Sequence, residues 1–146
     1  MSWQASYFSV AHLNPLTRLD GVLHPFSHRA SVMLRGKPIE IDWTGRAERE
    51  LERRTEPLTV EMQLYFSCVV KKRVLFHDRY ELPAVGVSPR LRIAFRMVQS
   101  AVCDPAELAR HFPVRRELDP PRAAGVSASS LHLDFRGDAW AGEFEI

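Results

Sequence analysis

The alternation in Leu58–His77 decides the fold class. Its even positions (Leu58, Val60, Met62, Leu64, Phe66, Cys68, Val70, Lys72, Val74, Phe76) are apolar in nine cases of ten, against three of ten at the odd positions from Thr59 to His77. A period of two marks a strand with one buried face. These twenty residues exceed the usual strand length of roughly 3–10, so one long bent strand, or two strands joined near Lys71-Lys72, is expected. Cys68 falls on the apolar side, where a thiol acts as a small inert hydrophobe.

Two hairpins flank this region. In Ala30–Trp43, a type II′ turn at Gly36-Lys37 sets Leu34 opposite Ile39, Val32 opposite Ile41 and Ala30 opposite Trp43. The other face then pairs Met33 with Glu40 and Ser31 with Asp42, which suits a half-buried antiparallel pair. Near the C-terminus, a II′ turn at Gly137-Asp138 places Phe135 opposite Trp140, Leu133 opposite Gly142 and Leu131 opposite Phe144. The polar side pairs Arg136 with Ala139, Asp134 with Ala141 and His132 with Glu143. Trp3–Leu13 alternates loosely and reads as a strand. Residues 14–29 hold Asn14-Pro15, Asp20-Gly21 and His24-Pro25, and read as a loop.

Helical signals come from caps and period. Thr44 is an N-cap for a short charged helix from Gly45 to about Arg54, whose only apolar pair is Ala47 and Leu51. In 88–103, Leu91, Ile93, Ala94, Phe95, Met97, Val98, Ala101 and Val102 fill one arc at about 100° per residue, opposite Arg92, Arg96, Gln99 and Ser100. With Ser88-Pro89 as cap and first residue, this predicts a packed helix over 89–102. Asp104, Pro105 and Glu107 form a capping box for a short helix over 105–112, which Pro113 ends. Residues 113–130, with Pro120-Pro121 and Gly125, read as a flexible loop.

The expected architecture is therefore α+β: one domain over residues 1–146, dominated by antiparallel sheet, with the 89–102 helix covering one face. Length and composition agree, because 146 residues with 45% apolar and 26% charged content can bury a full core without staples. No basic-then-apolar leader and no apolar run of about 18–20 residues is present, which predicts a protein without a membrane anchor. Two cysteines, Cys68 and Cys103, are too far apart for a CxxC device, and a reduced, cytoplasmic compartment is the expectation.

Charge changes this picture more than composition does. The net +2 is small, but residues 71–122 carry eleven positive and six negative side chains, residues 1–70 eight of each, and residues 123–146 one positive and four negative. Seventeen of the 20 basic residues are Arg, scattered along the chain in a way that GC-rich coding explains as well as function does. The basic block gives the candidate partner-binding residues Lys71, Lys72, Arg73, Arg92 and Arg96, suited to an acidic protein or another anionic ligand. Nucleic acid is weakly supported, because only Tyr65 among the aromatics projects from the polar side of the long strand near this block. A solvated face, or internal pairing with the acidic terminal hairpin, would account for the same charges.

Catalytic signals are weaker. GxSxG, GxxxxGK[ST] and GxGxxG are absent. His24 and His28 stand four apart but flank Pro25 in a loop, so a metal site would need His12 or an acid to complete it, and no metal or cofactor is assigned. His77-Asp78 points to opposite faces of a strand, and Cys103 has no base beside it. The sequence thus favours a small non-enzymatic binding or assembly module. The alternatives are an enzyme with a pocket between sheet and helix, metal-assisted through loop histidines, and self-association through a sheet edge.

Overall fold

A computed structural model describes residues 5–7, 19, 22–66, 70–100, 115–117 and 125–146. The described residues are mostly β, with two mixed sheets and one eight-residue helix among them. Its elements are β1 (Ala5–Tyr7), β2 (His28–Leu34), β3 (Lys37–Trp43), α1 (Gly45–Glu52), β4 (Leu58–Phe66), β5 (Val70–His77), β6 (Val85–Ser88), β7 (Leu91–Ser100), β8 (Arg115–Glu117), β9 (Ser130–Arg136) and β10 (Ala139–Glu145). The six-stranded sheet runs β1-β5-β4-β7-β6, with β8 also on β7, and the four-stranded sheet runs β10-β9-β3-β2. Both contain one parallel pair, β4 with β7 and β3 with β9. The other six pairings are antiparallel, so the expected dominance of antiparallel pairing holds, in sheets that are mixed.

The two sheets pack face to face. Leu58, Val60, Met62 and Leu64 of β4, Val74 and Phe76 of β5, and Leu91, Ile93, Phe95 and Met97 of β7 meet Ile39, Ile41, Leu131, Leu133 and Phe144 of the smaller sheet in one core. Phe95 lies edge-on to Phe144 at 6.2 Å, and Phe76 stacks on Trp140 at 6.0 Å. The sheets approach most tightly at Gly142, where a Cβ would meet Val74 at 3.0 Å and Leu133 and Phe76 at 3.1 Å.

Of the even positions in 58–77, Leu58, Val60, Met62, Leu64, Val74 and Phe76 are buried as the alternation requires, whereas Val70 is exposed and Cys68 lies outside the described residues. β4 and β5 are separate strands that pair from Phe66 opposite Val70, ahead of Lys71-Lys72. The C-terminal hairpin has the expected register. Its turn is type I′ rather than II′, since Gly137 and Asp138 both have positive φ (55° and 61°). The 30–43 hairpin keeps its apolar face but slips by two residues, with Val32 opposite Ile39 and Ala30 opposite Ile41. Pro38 explains the slip. A loop at Gly36-Lys37 would make Arg35 and Pro38 the hydrogen-bonded closing pair, and proline has no N–H to give. The turn uses Arg35-Gly36 instead, and Pro38 falls opposite Met33.

The helix expected over 89–102 is absent: residues 91–100 form β7, and Pro89-Arg90 is the turn that enters it. Ala94 and Val98, which would spoil a solvated polar face, are both buried. A strand buried on two faces has no reason to alternate, and its apolar residues then fill an arc at any period. The helix at 45–52 forms as expected, with Thr44 Oγ1 accepting from the Ala47 N–H at 3.2 Å and Ala47 and Leu51 buried. Residues 105–112, 113–114 and 118–124 lie outside the described residues, so of the span 113–130 only β8 and residues 125–130 are described. Among the described residues, no helix is long and apolar enough to cross a membrane.

Candidate functional site

The outer face of the six-stranded sheet, turned away from the core, is built from the odd positions of β4 and β5 and the even positions of β7. Strand register fixes its rows. Thr59 lies between His77 and Arg92, Glu61 between Leu75 and Ala94, Gln63 between Arg73 and Arg96, and Tyr65 between Lys71 and Val98. Four cationic side chains and an imidazole therefore surround Glu61, the only carboxylate on β4, β5 or β7.

This face is not solvated at its centre. Glu61 and Gln63 are each 2% exposed and Arg73 3%. Buried polar groups persist only when hydrogen-bonded or paired, and these form a chain. Arg73 Nε donates to Gln63 Oε1 at 2.9 Å, and Gln63 Nε2 donates to Glu61 Oε1. The other carboxylate oxygen of Glu61 has Arg96 Nη1 and His77 Nε2 each at 3.7 Å, in ion-pair range but beyond hydrogen-bond length. The His77 ring also packs against Tyr80 at 5.0 Å.

The structure places the five sequence-derived residues unequally. Lys71, Arg73, Arg92 and Arg96 share this outer face, whereas Lys72 turns to the other side. There Lys72 Nζ pairs with Glu145 Oε2 at 2.9 Å, donates to the Phe144 carbonyl at 3.2 Å and sits over the Phe144 ring. Part of the basic block thus meets the acidic terminal hairpin inside the fold. Arg46 does the same from α1, gripping Asp134 with Nε at 2.7 Å and Nη2 at 2.6 Å. Burial alone would raise the Asp134 carboxyl, but hydrogen bonds from Arg46, Thr44 and the Phe135 N–H, with the Arg46 charge, outweigh it and hold the group below its ordinary 3.8.

Beside Arg96 the edge of β7 opens into a cleft of about 310 Å³. The β2–β3 turn (Leu34, Arg35), Tyr80, residues 82–85 and residues 93–96 of β7 form its walls. The volume is at the lower end of the roughly 300–1,000 Å³ typical of ligand pockets. A second, smaller cavity of about 180 Å³ lies between α1 and the two sheets, lined by Glu50, Arg54, Asp78 and Asp138 with aromatic walls from Phe76, Phe135 and Trp140. The helix over 89–102 that was to wall a pocket against the sheet is β7 instead, and in this cavity Asp78 is tied to Arg54 at 2.7 Å and no histidine is among the lining residues.

Of the loop histidines, His28 stacks on Trp43 at 5.9 Å with Nδ1 beside Ser27 Oγ; elsewhere, His132 pairs with Asp42. Among the described residues, no group of three His, Cys, Asp or Glu could hold a metal ion. His12, His111, Cys68 and Cys103 lie outside those residues. Sequence reasoning passed over Glu61, Gln63, His77 and Tyr80 as partners of one network. The available signal was symmetry about position 68, which brings Gln63 to Arg73 and Thr59 to His77. Comparison of the chain with family models, curated proteins and solved structures yields no match.

Proposed function

We propose that this protein is a non-enzymatic binding module whose ligand is acidic, engaged by the outer face of the six-stranded sheet. One observation carries the reading: on that face β4, β5 and β7 hold four Lys or Arg residues against the single carboxylate of Glu61 on those three strands. Arg73 and Glu61 are buried and act as scaffold, while Lys71 and Arg92 are half-buried at opposite ends of the face, with no acidic partner among the described residues. Six residues of strand separate their rows, about 20 Å at ~3.3 Å per residue. That span suits an extended acidic segment better than one small anion. Tyr65 is fully buried, which offers no stacking surface for nucleic-acid bases. The cavity beside α1 is too small and too self-paired to favour catalysis.

The test is binding of fluorescent poly-glutamate to the intact protein. Lys71→Glu combined with Arg92→Glu should weaken binding at least about tenfold, or ~1.4 kcal/mol, and flatten its salt dependence. Equal binding by a folded double variant, or none by the parent protein, overturns the proposal.

A further inference from the structure

We infer that the interrupted edge of β7 accepts an extended acidic peptide as an added strand. This rests on the acidic-ligand reading and gives it a partner class and a binding mode.

The edge is broken in a specific place. β6 pairs with β7 only as far as Val85 opposite Ile93, and β8 begins at Val98 opposite Glu117. Between them, residues 94–97 have no strand partner on that side among the described residues. Backbone N–H and C=O groups along such an edge are a template for another strand. The cleft of about 310 Å³ opens on this same stretch, with Ala94, Phe95 and Arg96 in its wall. Four residues of added strand, about 13 Å, would fill the gap.

The chemistry of the walls selects the occupant. Arg35 and Arg96 line the cleft, and neither Asp nor Glu does. Arg35 lies 5.5 Å from the Phe95 ring, and Leu82, 45% exposed, stands in the loop opposite. Phe95 belongs to the core side of β7, whereas Ala94 and Arg96 belong to the outer face. An added strand shares the pleat of its neighbour, so its residues alternate between these two environments. A peptide alternating apolar and acidic residues satisfies both, with the acid beside Arg96.

The probe is a labelled six-residue peptide of alternating valine and glutamate, titrated against the full chain by fluorescence anisotropy, with hydrogen exchange on the complex. Binding should slow exchange of the Phe95 and Met97 amides, the two in this stretch that point away from β4. Replacing glutamate by lysine, N-methylating alternate peptide amides, or introducing Leu82→Asp should each weaken binding by about tenfold or more. Leu82→Asp should leave poly-glutamate binding at Lys71 and Arg92 intact, which separates the two proposals. If N-methylation or Leu82→Asp has no effect while Lys71→Glu with Arg92→Glu does, the edge is wrong and the reading of the outer face as a site for an acidic ligand stands. Phe95 and Met97 amides already protected in the free protein, or light scattering showing a dimer that closes this edge, would overturn the inference. If neither probe binds, both proposals fall.

Discussion

The outer faces of the two sheets resemble each other in topology and differ in chemistry. On the four-stranded sheet, Glu40 is exposed, and the polar residues meet at the margin in simple pairs such as His132 with Asp42. On the six-stranded sheet, Glu61 is buried and locked into a chain through Gln63 to Arg73. The same residue type is ornamental on one face and structural on the other. A carboxylate in water is already solvated, whereas a buried one must find all its partners in the protein.

The largest expected effect tests that contrast directly. Glu61→Ala strands the positive charges beside it and should cost about 3–5 kcal/mol in urea unfolding, while Glu40→Ala on the solvated face should stay within ~0.5 kcal/mol. Similar costs for the two would erase the distinction. Next in size is the seam where the sheets press together. Gly142→Ala forces a methyl against Val74, Phe76 and Leu133 and should destabilise by about 1–3 kcal/mol, read as a lower unfolding midpoint.

The smallest effect sharpens the solvated side, where Asp134 marks the margin covered by α1. Its carboxyl is held below 3.8, so it contributes stability above that value and loses it as pH falls through and below it. Asp134→Asn should cost about 1–2 kcal/mol at neutral pH and converge with the parent protein in acid. Unfolding midpoints that remain parallel through the acid range would rule out the Arg46 grip as the cause.

Legibility followed the same division. The terminal hairpin could be read residue for residue, because Gly137-Asp138 punctuates an alternation that one solvated face keeps clean. The 30–43 hairpin was legible in its faces and missed in its register, since turn chemistry at Gly36 was weighed without the missing N–H of Pro38. β7 was read as a helix because Ala94 and Val98 are apolar on the side a solvated strand would leave polar. Arg92 and Arg96 nevertheless share a face, as a spacing of four does so at either period. The Glu61 network stayed hidden because its members come from three strands, and two of the strand pairings depend on a reversal and a parallel register that local pattern does not encode.

The parallel pairing of β3 with β9 sets the order in which the molecule can be assembled. Asp42 waits for His132, 90 positions later, and until then β2 and β3 form a two-stranded ribbon with a bare side. Closing so long a loop carries an entropic cost that must be met before any contact rewards it, which makes this step slow. A ribosome making the chain in order would hold that ribbon, with the β3 edge unpaired, until residues 130–133 emerge. The last hairpin is thus the bolt of the fold, and a nascent chain arrested before residue 130 would be a substrate for holdase chaperones rather than a smaller version of the protein.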